Sequence, residues 1–394
     1  MNTTSSPFPQ GTVVGDSLSG SPELSARGNV TAGCRTFSFI RPAVPSLAGG
    51  LSELPFPLSE RIIAYTVWYP AMPEPGETCV YTDYMGRIDL GNLKSFDFPG
   101  RARKGGTPDL SMGPRPVVVL THGYPGSMML LANLAENLSS KGYVIFSIAH
   151  TDNTYTDFIP EGAFESALIH RTMDQRAMLD ELTRVNETGP LAGLLDLDRI
   201  AMIGFSMGGY GLLRTLGAKF SAEQLEKFSA ISEYLTEPDW SGDSRLRAAV
   251  LFAPATSYID SVSLENLRAP TLWFCGTMDR TVGYRAVHDA WTKAVHSRRT
   301  MVSYIGCGHN VANNPAPACA LNADWSLLKR WADPVWDTAR LNTLNFHFIT
   351  AFLGTTLLDE DSEHYYAGLT EGAPLPGFTA DTDVGVRVEH LNEQ

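Results

Sequence analysis

Apolar residues along this chain fall in short, nearly unbroken blocks separated by longer stretches of helical spacing. Blocks at residues 117–120, 143–149, 199–204, 248–253, 271–275 and 301–305 are dense in Val, Ile, Leu, Ala and Phe. Runs this short and apolar on both faces fit strands buried inside a sheet. Between them, residues 130–138, 165–185 and 284–295 and the region from Met207 onward predict helices, and residues 335–353 a C-terminal one. Leu168, Met178, Leu179 and Leu182 mark the spacing in the longest of these. The alternation predicts an α/β fold, with a mostly parallel central sheet and helices on both faces. Residues 34–40 and 61–69 are β-branched and aromatic and predict N-terminal antiparallel strands. Residues 70–115 hold many prolines and glycines and predict one long loop.

This pattern divides the chain into a disordered leader over 1–33, a folded domain over 34–355 and a C-terminal extension over 356–394. Two stretches break the rhythm. Residues 151–164 continue a strand end into a polar loop, and residues 218–246 insert a helical segment (222–235), a candidate lid. Both leave the sheet near the edge where open α/β sheets bind ligands.

Composition narrows the partners. Of 394 residues, 43% are hydrophobic, enough for a sizeable core. Lys and Arg number 30 against 43 Asp and Glu, a net charge of −13, and no basic run exceeds residues 101–104. A phosphate backbone would be repelled, so nucleic acid is excluded as partner. No apolar run reaches the roughly 18 residues of a membrane span. The start lacks a basic segment followed by an apolar stretch, so a cytoplasmic location is expected, with a secreted mature form left open. Five cysteines lie at no metal-like spacing, so neither metal nor cofactor is implied. Cys307 and Cys319 are close enough in sequence to pair in an oxidising compartment.

The sharpest chemical signal is Gly204-Phe205-Ser206-Met207-Gly208, followed by Gly209, where a predicted strand turns into a helix. Small neighbours permit a strained turn that lifts the serine hydroxyl above the sheet edge, and the helix N-terminus favours an oxyanion. A glycine-rich turn alone would not require the serine. A serine hydroxyl needs a base. Of nine histidines, His309 in Gly306-Cys307-Gly308-His309-Asn310 follows the last predicted strand, where a loop can return it to Ser206. His122 and His150 end earlier strands and read as wall or supporting residues; His288, His296, His347, His364 and His390 lie in helices or the tail. Asp279, after the 271–275 strand, would orient the imidazole, with Asp260 one strand earlier as competitor. Thr121-His122-Gly123-Tyr124 follows the first core strand, so the amides of Met207 and Tyr124 would form an oxyanion hole. Tyr124, His150, Phe158 and Tyr258 are the expected substrate-binding side chains, and Trp240 adds an aromatic to the insertion. Arg171, Gln175 and Arg176 read as a solvated helix face.

These motifs together resemble the α/β-hydrolase fold over about residues 34–355. Thr66-Val67-Trp68-Tyr69-Pro70-Ala71, Lys141-Gly142-Tyr143-Val144-Ile145 and Ala149-His150-Thr151-Asp152 are similar to dienelactone-hydrolase-like esterases and platelet-activating-factor acetylhydrolase relatives. The Ser-Met-Gly-Gly elbow and Tyr124 resemble bacterial cutinases and polyester hydrolases. Dienelactone hydrolase itself has a cysteine where this chain has Ser206, and the polyester hydrolases have a Pro-Trp-His segment where it has Ala253-Pro254-Ala255-Thr256. The resemblance implies a metal-free serine esterase acting on a small-molecule ester through an acyl-enzyme. Amide, lactone or acyl-transfer chemistry on the same residues is the alternative, and a non-catalytic ligand-binding scaffold a second one.

Overall fold

The computed structural model describes residues 13–236, 241–367, 369, 373–379 and 381–394. Strands β1 (Ala32–Pro45), β2 (Leu58–Pro70), β3 (Thr78–Met85), β4 (Lys94–Lys104), β5 (Arg115–Thr121) and β6 (Val144–Ile148) come first. They are followed by β7 (Leu195–Phe205), β8 (Leu246–Phe252), β9 (Thr271–Gly276), β10 (Arg299–Tyr304) and β11 (Val386–Leu391). All join one sheet in the order β11-β10-β9-β8-β7-β5-β6-β2-β1-β4-β3. The block from β10 to β6 is parallel throughout, as its doubly buried apolar runs require. Antiparallel β2 and β11 close it on either side.

Helices α1 (Ala132–Ser139), α2 (Ala163–Glu187) and α3 (Met207–Thr215) connect the parallel strands, with short α4 (Ala222–Lys227) and α5 (Ser232–Leu235) after them. Beyond these come α6 (Tyr284–Lys293), the short α7 (Ala318–Leu321) and α8 (Trp325–Leu328), and the long α9 (Thr338–Leu357). Helix α2 packs on α3 and α1 on α9, so the sheet is flanked by two helical layers.

The predicted strands and long helices are present, with bounds moved by a few residues. Four expectations differ, while the insertion is helical as expected. Residues 70–115 are not one loop but hold the β3–β4 hairpin; Cys79, Tyr81, Asp83 and Met85 alternate inward, a period-2 signal masked by the surrounding prolines and glycines. The leader is packed from residue 13 onward, with Val14 buried and the Gly15 amide 2.5 Å from Asn133 Oδ1; residues 1–12 lie outside the description. The C-terminal extension supplies β11, whose pairing with β10 needs a partner 86 or so residues away and no local cue. The insertion is α4 and α5 joined by a 3-10 turn, and Trp240 lies outside the described residues. All five cysteines are free; Cys319 lies against Met85 rather than Cys307.

Glu136 on α1 fastens the added strands to the parallel core. Its fully buried carboxylate accepts from Tyr81 Oη at 2.5 Å, from the Arg101 and Ala102 amides at 3.1 and 3.0 Å, and from Arg27 Nη2 at 2.8 Å. Tyr81 Oη in turn accepts from Trp68 Nε1 at 2.7 Å on β2. Removing one such acceptor strands several buried donors. Glu136→Ala is therefore expected to cost about 3 kcal/mol or more, read as a shift in the urea midpoint at constant slope. A change below about 1 kcal/mol would mean that water replaces the carboxylate.

Candidate active site

Strand order creates the site. The chain runs from β5 to β6 on one side and then crosses to β7 on the other side of β5. Loops leaving β5 and β7 thus diverge at the sheet's carboxyl edge and open a crevice. Thr121 pairs with Gly204 in this register, so residues 122–124 lie beside residues 205–207. A Cβ on Gly208 would strike the Thr121 carbonyl, so glycine lets α3 start directly against the β5 loop.

Ser206 joins β7 to α3 at φ 54° and ψ −114°. A non-glycine residue there stores about 1–3 kcal/mol of strain. Its amide donates to Phe252 O at 2.9 Å, and its carbonyl accepts from Tyr210 and Ala255 amides at 3.0 and 3.1 Å. The backbone is held on three sides, and the side chain is 8% exposed. On the far side, Tyr304 pairs with Gly276, which brings the loops after β9 and β10 together. The Met278 amide donates to Cys307 O at 2.8 Å across them.

His309 Nε2 lies 3.0 Å from Ser206 Oγ, and His309 Nδ1 lies 2.8 Å from Asp279 Oδ2. A carboxylate only accepts, so Nδ1 carries the proton and Nε2 accepts from the hydroxyl. Burial would raise the Asp279 carboxyl, but His309 and the Thr281 and Val282 amides hold it below its ordinary value. Asp260 instead accepts from the Val262 amide in its own turn. Ser206, His309 and Asp279, spread over 103 residues, thus meet in one hydrogen-bonded line. The Met207 and Tyr124 amides donate to no acceptor among the described residues, one at the first turn of α3 and one in the adjoining loop.

The hydroxyl opens into a cleft of about 390 Å³ lined by Tyr124, Tyr155, Phe205, Leu130 and Arg87, among others. Of the expected substrate-binding residues only Tyr124 lines it. His150, two residues beyond β6, is fully buried, its amide donating to His122 Nε2 and its Nδ1 to Asp174. Phe158 packs beneath Tyr124 at 5.6 Å between ring centres, with the Arg87 guanidinium 3.9 Å over its other side. Tyr258 joins Phe164, Phe220 and Phe228 in an aromatic cluster. Phe220 and Phe228 are the insertion's contributions to that cluster, and no described residue of 218–246 lines the cleft. The described residues of the candidate lid therefore prop Tyr124 through Phe164 and do not line the cleft at Ser206.

Sequence reasoning missed the support beneath the β5 loop. Arg171 and Gln175 are fully buried, not solvated, while Arg176 is partly exposed. Arg171 Nη1 donates to His122 O, and its Nη2 donates to Gly123 O at 2.8 Å and Asn153 Oδ1 at 2.5 Å. His122 Nδ1 donates to the same Gly123 carbonyl at 2.7 Å. That carbonyl and the Tyr124 N–H belong to one planar peptide, so fixing the first aims the second the opposite way. Gln175 Nε2 bridges Thr121 Oγ1 and Gly208 O at 3.2 and 3.0 Å. Asp174 accepts from Arg41, Arg61 and His150 at 2.5–3.1 Å; burial would raise it, but Arg61, the His150 hydrogen bond and Arg41 keep it well below the usual range. The signal was present: positions 168, 171, 175, 178 and 182 share one helix face, so Arg171 and Gln175 sit on the apolar stripe.

Among the described residues no three His, Cys, Asp or Glu side chains gather to hold a metal, and no helix is long and apolar enough to cross a membrane. No family model matches the chain, and no curated protein matches it either. Among solved structures it is similar to a ferulic acid esterase from Streptomyces cinnamoneus, with 17% identity and a TM-score of 0.59. The match covers 94% of this chain and all of that one. The fold is that of the α/β hydrolases.

Four buried histidines govern stability against acid. Burial and neighbouring cations push His150 and His170 down to about 3, burial pushes His347 down to about 4, and burial with Arg171 and His150 pushes His122 well below its ordinary value. The unfolded chain binds these protons below about pH 6.5 while the folded one refuses them, so stability falls on acidification. Asp83, raised by burial to about 7, opposes this by one proton over the same range. Unfolding free energy should therefore drop steadily between about pH 7 and pH 5. A flat urea-midpoint profile would show these imidazoles to be hydrated or charged.

Proposed function

We propose that this chain is a serine hydrolase that cleaves carboxylic esters. The observation that carries the reading is the Ser206–His309–Asp279 line, set on a strained strand-to-helix turn at the sheet's switch point. Ser206 Oγ attacks the acyl carbon while His309 Nε2 takes its proton. The carbonyl oxygen becomes an anion, to which the Met207 and Tyr124 amides donate. Asp279 stabilises the imidazolium, which returns its proton to the departing alkoxide and leaves an acyl-enzyme on Ser206. Water, deprotonated by the same nitrogen, then releases the acid and restores the serine.

The ferulic acid esterase among the solved structures it is similar to supports ester over amide or lactone as substrate. The Trp68-Tyr69-Pro70-Ala71 segment at the end of β2 supports kinship with the dienelactone-hydrolase-like and acetylhydrolase-like branch. Arg171 acts in this reading as a positioning residue, since it aims the Tyr124 amide without touching substrate.

A fluorophosphonate probe is expected to label Ser206, with labelling lost in Ser206→Ala and His309→Ala while the melting temperature stays within a few degrees. Folded protein that takes up no probe would favour a binding scaffold instead. Arg171→Lys keeps the charge but loses the two-pronged grip on the loop carbonyls. It should lower kcat for a p-nitrophenyl ester about tenfold or more with KM nearly unchanged, because a mis-aimed oxyanion donor costs the transition state alone. An unchanged kcat in folded Arg171→Lys would remove Arg171 from the proposal.

A further inference from the structure

The cleft wall on the His309 side is basic, although the whole chain carries a net charge of −13. Lys329 and Arg330 line the cleft together with Arg87, and among the described residues no Asp or Glu lines it. Arg87 is already paired with Asp89, at 2.9 and 2.6 Å. Lys329 and Arg330 are exposed, and neither side chain pairs with a carboxylate among the described residues. The nearest candidate on their own segment, Asp333, is occupied by the Gly308, Val335 and Trp336 amides.

The backbone that carries these two cations is held in place by a built support. Trp331, between Arg330 and Ala332, is 1% exposed and packs edge-on against Phe96 at 5.3 Å and against Tyr155 at 6.2 Å. Asn310 Nδ2 donates to Lys329 O at 2.7 Å and Ala332 O at 3.2 Å, and Asn313 Nδ2 donates to Arg330 O at 3.0 Å. Both amides are buried and line the cleft. Asn310 directly follows His309, so the cationic rim is latched to the loop that carries the imidazole. Asn313 is 3% exposed, yet its Oδ1 meets no donor among the described residues, which leaves an unused acceptor in the cleft wall.

We infer that the substrate is an anionic ester whose negative group, a carboxylate or an equivalent oxyanion, sits on the alcohol half and is bound by Lys329 and Arg330. This rests on the serine-hydrolase reading above. The side follows from the chemistry: His309 must protonate the departing oxygen, so the alcohol half lies against the His309 loop, where the cations are fastened.

The test compares acetyl-ester cleavage of 4-acetoxybenzoate with that of its methyl ester, each normalised to its hydroxide-catalysed rate. Wild type should favour the anion in kcat/KM by about tenfold or more, the range of a charge-assisted contact. The double variant Lys329→Gln/Arg330→Gln should bring that ratio to within about twofold of unity. Arg285→Gln/Lys293→Gln on α6, outside the cleft, removes the same two charges and should keep the preference. Should the double variant not fold, salt reads the same contact: raising NaCl from about 20 to about 500 mM should erode the wild-type ratio severalfold. A wild-type ratio near one, a ratio untouched by the double variant, or one indifferent to salt overturns the inference. So does a preference found only when the charge is moved to the acyl half, as in mono-4-nitrophenyl succinate against its methyl ester. Equal hydrolysis of both acetoxy esters overturns the charge reading alone; no hydrolysis of either, with Ser206 unlabelled, overturns the esterase reading as well.

Discussion

Parallel registry between β5 and β7 is the constraint on which the rest of the site depends. Thr121 opposite Gly204 sets the two strand ends level, so one loop can offer an amide where the other presents a hydroxyl. The same levelling of β9 and β10, through Gly276 and Tyr304, delivers the carboxylate and the imidazole from the opposite side. A slip of one residue in either pair would turn each of these groups to the wrong face of the sheet. The strain at Ser206 persists because β8, the loop that follows it and α3 each hold its backbone by a hydrogen bond.

Beneath that edge lies a buried polar layer that an apolar core could have avoided. Helix α2 contributes Arg171, Asp174 and Gln175, and β1 and β2 contribute Arg41 and Arg61, which are register partners. Two arginines opposite one another repel, and Asp174 between them makes the pairing tolerable. Burying such charges costs more than a hydrophobic contact of equal volume, so the layer is weak evidence for stability. It does place donors at the carbonyls of residues 122 and 123, which no apolar side chain could orient.

The hairpin β3–β4 ties distant parts of the chain to the same edge. Glu136 locks it to α1, and Phe96 in β4 supports Trp331, whose neighbours form the basic rim. Tyr155 packs on Trp331 from the loop after β6 and lines the cleft itself. Cleft shape is therefore shared among the N-terminal strands, the β6–α2 connection and the segment after His309.

Much was legible before the structure, for identifiable reasons. Buried parallel strands are short apolar blocks and the helices between them keep their own period, so the layer order of 117–305 could be read directly. The small residues around Ser206 mark a turn that larger ones could not form, and chain order then pointed to His309, with Asp279 and its competitor Asp260 both in order for the acid. Only the tertiary structure decided which side chains reach the cleft: it buried His150, turned Phe158 and Tyr258 into props, and brought Lys329 and Arg330 to the rim. It also drew Arg171 inward, although Leu168 and Leu182 share its helix face, because a guanidinium is stable there only when carbonyls and carboxylates from other strands surround it. Local period and turn chemistry are properties of neighbouring residues, whereas burial of a charge depends on partners brought together from across the chain.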